Sequence, residues 1–177
     1  MIAMGAMGAI GEADLLDLAA RVGERLQQRR LMLATAESCT GGLIAGAITA
    51  IAGSSGWFDR GYVTYSDAAK QEMLGVPAAV LEDFGAVSEP VARAMAEGAL
   101  AKCGADIAVA VTGVAGPGGG TAAKPVGMVC FGWALRGRPT MVGTVHFPGD
   151  RAAIRALSVQ HALQGLLIRL DSNPSGR

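Results

Sequence analysis

The chain has 177 residues, half of them hydrophobic (51%), with 15 basic and 15 acidic side chains and no formal net charge. That composition excludes a disordered chain, and the balanced charge excludes a bulk basic field drawn to nucleic acid or an anionic membrane. Three cysteines without a Cys-x-x-Cys spacing give neither a zinc ribbon nor a disulfide framework, and so point to a reducing compartment.

The length suits one domain. Residues 1–12 carry no basic segment ahead of their apolar stretch and read as a flexible tail rather than a signal peptide. Leu15, Leu18, Val22 and Leu26 recur at three and four residues and predict a helix over 13–30. Residues 31–36 predict a strand that runs into Glu37-Ser38-Cys39-Thr40-Gly41-Gly42. The small apolar residues 43–51 predict a buried second helix. A strand is predicted over 61–65, then a helix over 67–74, capped by Ser66 and stopped by Gly75 and Pro77. Ser88 followed by Glu89 and Pro90 opens another helix, to about 102. Residues 106–111 predict a buried strand leading into a glycine-rich loop, 112–120. Strands over 126–135 and 140–147, joined by Arg136-Gly137-Arg138-Pro139, predict an antiparallel pair. Asp150 caps a last helix whose stripe is Val159, Leu163, Leu166, Leu167 and Leu170. The expected fold is α/β: a single-domain three-layer α/β/α sandwich over 13–170, with a mixed, mostly parallel sheet and a polar tail over 171–177. No uncharged run has the length and helical character of a membrane span, so a soluble cytoplasmic protein is expected.

Three segments carry chemistry-bearing residues. Ser38 lies in a sharp strand-to-helix connection, where a hydroxyl meets backbone N–H groups at a helix start and small residues admit a carbonyl. That suits an acyl-transfer nucleophile with oxyanion donors around Thr40, Gly41 and Gly42. The same segment also suits plain helix capping by Ser38 or Thr40, and Cys39 is a rival nucleophile. In Tyr65-Ser66-Asp67-Ala68-Ala69-Lys70, the Ser66 cap makes Tyr65 and Lys70 the staple positions, which sets a phenol beside an amine. A desolvated lysine can act as a general base, and a lysine stem laid over the ring at the surface is the plainer alternative. The loop from Thr112 and Gly113 to Gly120 follows a buried strand, where α/β sheets place ligand loops. It has neither the Rossmann spacing nor a P-loop ending, which leaves a pocket wall or a flexible loop. Lys124 is another candidate base. Arg151 and Arg155 share a helix face suited to a phosphate or to ion pairing. His146 and His161 have no metal-ligand spacing, so no metal is expected.

Taken in order, Glu37-Ser38-Cys39-Thr40-Gly41-Gly42, Thr64-Tyr65-Ser66-Asp67-Ala68-Ala69-Lys70, the 112–120 loop, Lys124-Pro125-Val126-Gly127 and Gly149-Asp150-Arg151 resemble the CinA C-terminal domain family. The resemblance covers residues 13–170. It implies an α/β/α sandwich that hydrolyses the carboxamide of nicotinamide mononucleotide to nicotinate mononucleotide and ammonia, without metal or organic cofactor. It maps the nucleophile to Ser38 and its partners to Tyr65 and Lys70. The 112–113 loop and Arg155 are then expected to hold the ribose phosphate. The family commonly has Asn where this chain has Asp67. The expected partner is a small-molecule pyridine nucleotide, with no nucleic acid and no membrane; a homo-oligomer is compatible with this. A non-catalytic binding protein linked to competence or DNA damage is the alternative reading.

Overall fold

The computed structural model describes residues 11–172. The expected residues 1–10 and 173–177 of the two tails lie outside the described part. Helix α1 (Glu12–Arg29) leads into β1 (Leu33–Glu37), α2 (Leu43–Thr49), β2 (Phe58–Val63) and three successive helices, α3 (Asp67–Leu74), α4 (Ala78–Phe84) and α5 (Glu89–Ala101). Strands β3 (Ile107–Gly113), β4 (Met128–Leu135) and β5 (Met141–His146) follow, and α6 (Arg151–Asp171) closes the fold. The five strands form one sheet in the order β2-β1-β3-β4-β5. Pairing of β1 with β2 and with β3 is parallel, while β3 with β4 and β4 with β5 are antiparallel. Only β4 therefore runs against the others, and the sheet is mixed and mostly parallel as expected.

Side-chain alternation along the strands sorts the core into two unlike layers. Leu33, Ile107, Val109, Val111, Phe131 and Trp133 face α1, α2 and α6 and build a bulky apolar core. Ala34, Ala36, Ala108, Ala110 and Ala134 face α3, α4 and α5. Those alanines let α5 lie close on the sheet. At Gly132 a Cβ would stand 2.6 Å from the carbonyl oxygen of Ala92 on α5. The expected caps are present: Ser66, Ser88 and Asp150 each accept from the N–H three residues on.

Helices α2 and α4 differ from expectation. Helix α2 is not buried throughout: only Ile44 and Ile48, one turn apart, enter the core, and Leu43 is 42% exposed. Its alanines and glycine give no outward polar face to betray this. Residues 78–84 form α4, a short helix between Pro77 and Gly85 that places a single buried side chain, Leu81. It presents no apolar stripe in the sequence.

Candidate active site

The site lies at the carboxyl ends of the parallel strands. The Glu37–Ser38 peptide is pinned on both sides, since Ser38 N–H donates to Val111 O (3.0 Å) and Glu37 O accepts from Thr64 N–H (2.8 Å). Ser38 is thus the first residue past the sheet edge, held by β3 and by the end of β2. Beyond it the chain turns through Gly41 and Gly42, both at positive φ (58° and 98°), where a side chain would be strained.

Lys70 comes from the first turns of α3. Ser66 caps that helix directly after β2, and the resulting phase turns Lys70 and Leu74 inward together. The Lys70 side chain is 1% exposed. Its Nζ donates to Ser38 Oγ at 3.1 Å and to Thr64 O at 2.9 Å. Burial holds the amine below the ordinary lysine range of 10.5, against the opposing pull of Asp67 and Cys39. A nucleophilic hydroxyl and a desolvated amine therefore share a hydrogen bond across 32 residues of chain.

The expected meeting of Tyr65 and Lys70 is absent. Tyr65 is 62% exposed, and its hydroxyl accepts from Arg151 Nη2 at 3.0 Å. The amine is drawn inward by Ser38 and Thr64, whereas the phenol swings out towards α6. Both still line one cleft of about 210 Å³ with Ser38, Asp67, Ala86, Thr112, Gly113 and Arg151. That cleft shares Ala115 and Arg151 with a wider groove of about 630 Å³ bordered by Pro117, Val126, Asp150 and Arg155.

The oxyanion donors expected at Gly41 and Gly42 are engaged elsewhere. Gly41 N–H donates to Ser38 O (3.0 Å) and Gly42 N–H to Glu37 Oε2 (3.1 Å). Glu37, which engages Gly42, is fully buried. Its carboxylate also accepts from Thr40 Oγ1 (2.7 Å), Ile44 N–H (3.0 Å) and Ala45 N–H (2.9 Å). It gathers the first N–H groups of α2, a place where a negative charge is favoured. Thr40 is buried in the same turn.

The other expected residues have structural partners. Thr112 Oγ1 donates to Ala86 O (2.9 Å), which fixes the loop between α4 and α5 over the cleft. Gly113 is glycine because β4 crosses it, with Met128 O 2.9 Å from where a Cβ would stand. Arg155 donates to Cys39 O and Thr40 O, both at 3.1 Å, so its guanidinium grips the Ser38 turn. Lys124 Nζ donates to Phe84 O at the end of α4 and is not among the residues that line the cleft. Cys39 is 6% exposed, and burial pushes its thiol up to about 11, so it stays protonated near neutral pH. Among the described residues no cluster of three His, Cys, Asp or Glu side chains is placed to hold a metal ion.

Glu37 and Arg151 complete the site; both stand in the motifs quoted from the sequence, and Arg151 was a candidate for a phosphate or an ion pair, but neither was expected in the contacts it makes here. Glu37 carried a signal, as the one charge closing an otherwise apolar strand. Arg151 had its spacing from Arg155 and its place in Gly149-Asp150-Arg151, and neither points to Tyr65. Its donation to Tyr65 and to Gly116 O (2.8 Å) depends on α6 folding back over the strand ends.

Comparison with known proteins gives the family of the chain. The CinA C-terminal domain model matches residues 15–170. "Nicotinamide-nucleotide amidohydrolase PncC" of Enterobacter agglomerans is 51% identical over 164 residues, covering 93% of this chain and 100% of that protein. The protein of the same name from Escherichia coli K12 is 48% identical over 155 residues, covering 88% and 94%. A "CinA-like protein" of Akkermansia muciniphila is 60% identical over 142 residues, but the chain spans only 34% of its length. The crystal structure of the competence/damage inducible protein CihA from Agrobacterium tumefaciens superposes with a TM-score of 0.86 at 47% identity, covering 93% of this chain and 99% of that one. With a family model matched from α1 to the end of α6 and full-length relatives at about half identity, the chain belongs to the CinA C-terminal domain family.

Proposed function

We propose that this protein is an amidase that hydrolyses the carboxamide of nicotinamide mononucleotide to nicotinate mononucleotide and ammonia. The observation that carries the reading is the 3.1 Å hydrogen bond between Ser38 Oγ and the buried Lys70 amine. The names of the full-length relatives give the substrate class. Lys70 in its neutral form takes the Ser38 proton as Oγ bonds to the carboxamide carbon. The tetrahedral intermediate collapses, the C–N bond breaks, and Lys70 returns the proton to the leaving nitrogen, releasing ammonia. Water then attacks the acyl-Ser38 ester and gives a proton to Lys70; the ester bond to Oγ breaks, and the proton restores the Ser38 hydroxyl. Tyr65 contributes a wall of the cleft. A proton relay through its phenol requires the hydroxyl to leave Arg151. The ribose phosphate extends into the groove beyond Arg151, which supplies positive charge at the junction of the two cavities.

Among the described residues no helix is long and apolar enough to cross a membrane, and a cytoplasmic small-molecule enzyme fits this chemistry. The test is ammonia release over a panel of pyridine nucleotides and simple amides. Turnover is expected on nicotinamide mononucleotide and is expected to disappear in Ser38→Ala. A wild-type protein that binds the nucleotide but releases no ammonia overturns the amidase reading and leaves a binding protein.

A further inference from the structure

The charged side chains that line the cleft at Ser38 are Lys70, Arg151 and Asp67. Lys70 is bonded to Ser38 and Thr64, and Arg151 to Tyr65 and Gly116. Asp67 is different. It is the first residue of α3, and among the described residues its carboxylate makes no hydrogen bond and no ion pair. Its charge reaches the Lys70 amine, where it opposes the burial that keeps the amine low. An acid so placed works against the base of the proposed reaction. A helix start favours an acid, but that interaction does not require a wall of the cleft.

The chemistry of the substrate supplies a partner. With ribose on its nitrogen, the nicotinamide ring of the mononucleotide is a pyridinium cation, and its phosphate is an anion. For Ser38 Oγ to reach the carboxamide carbon, the ring must enter the cleft, whose volume of about 210 Å³ keeps a ring close to every wall. The cleft then offers an unpaired negative charge on α3 and, where it opens into the wider groove, the positive charge of Arg151. These two signs match the ring and the phosphate in that order. We propose that Asp67 is a specificity-determining residue whose carboxylate faces the pyridinium cation and selects nucleotides with a cationic ring over those with a neutral one. The role rests on the amidase reading for the placement of the ring at Ser38.

The experiment compares nicotinamide mononucleotide with its dihydropyridine form, which carries the same carboxamide, ribose and phosphate on a neutral ring. Kd values for both are measured by calorimetry in Ser38→Ala, to prevent turnover, with Asp67 present and with Asp67→Asn, which keeps the shape and removes the charge. Expected in Asp67→Asn is a loss of about three- to fivefold in affinity for the cationic ring, the size of an exposed charge interaction, with the dihydropyridine form within about twofold. The loss should shrink at high salt, since exposed charges are screened. Asp67→Glu keeps the charge and should hold most of the preference. A merely structural role at the start of α3 would move both ligands alike. Equal losses for the two forms, or an unchanged Kd for the cationic one, overturn the proposal. Ammonia release by the wild type is measured alongside. Its absence overturns the amidase reading alone if the preference due to Asp67 persists, and overturns both if neither ligand binds.

Discussion

In the proposed amidase, Lys70 is the side chain on which the chemistry depends, because its amine is buried at 1% exposure and bonded to Ser38 Oγ. Lys70→Met keeps the apolar stem and removes the amine. Turnover is expected to fall by about 10² or more, the usual loss for a general base. Ser38→Ala is expected to abolish it. The double variant should be little worse than Ser38→Ala alone, since two groups acting on one proton are not additive; additive losses in steady-state kinetics would separate the pair. Because burial lowers the amine below 10.5, the acid limb of the kcat/KM profile should reflect deprotonation of Lys70, with activity rising as pH rises through its lowered value. Cys39→Ala should stay active, as its thiol is held at about 11 by burial. Tyr65→Phe removes only the hydroxyl bonded to Arg151, so a loss of about fivefold in kcat/KM, equivalent to about 1 kcal/mol, is expected. A loss as large as that of Lys70→Met would restore Tyr65 to the proton path.

The element that shapes the site is the turn from β1 into α2, and Glu37 is its organiser. Four donors converge on a fully buried carboxylate. Glu37→Gln turns one acceptor oxygen into an amide NH2, a donor that faces other donors. A loss of about 2–3 kcal/mol is expected, read as a lower urea midpoint at unchanged m-value. Wild-type stability in that variant would mean that water replaces the carboxylate. This turn also marks how far the sequence could be read. Caps, strand order of appearance and the Ser38 and Lys70 segments were legible, because local chemistry determines them. Helix α4 was not, since its one buried residue makes no pattern. Strand β2 was expected from Gly61 but begins at Phe58, because Asp59 and Arg60 on an exposed edge strand break the alternation. At the site, the partners of Tyr65 and Arg155 come from packing between α6 and the turns after β1 and β2, 86 to 116 residues away in the chain, and no local spacing encodes such contacts. The engagement of Gly41 by Ser38 O and of Gly42 by Glu37 is local, but it depends on the path of the turn and not on any residue pattern.

Across the whole molecule, a half-buried histidine and a buried lysine tie stability to pH from opposite layers of the sheet. His161 on α6 lies among Phe131, Trp133 and Phe147, its ring centroid 4.6 Å from that of Phe131, and burial lowers it below 6.5. Lys70 on α3 is lowered from 10.5 by its own burial. For both, the unfolded chain binds the proton more readily than the folded one. Stability therefore rises with pH between the folded and unfolded values, and is lost as pH falls through that window. The histidine window extends downward from 6.5 and the lysine window downward from 10.5. Unfolding free energies by urea titration from pH 5 to 10 should show His161→Phe flattening the acid side relative to wild type, with the alkaline side unchanged. Lys70→Met should flatten the alkaline rise alone. Its wild-type-minus-variant difference should grow in favour of wild type as pH approaches 10.5, where the folded amine is neutral and its burial costs least. Parallel curves for wild type and Lys70→Met across that range would mean that the amine keeps its proton in the folded protein, and a protonated Lys70 cannot take the proton of Ser38.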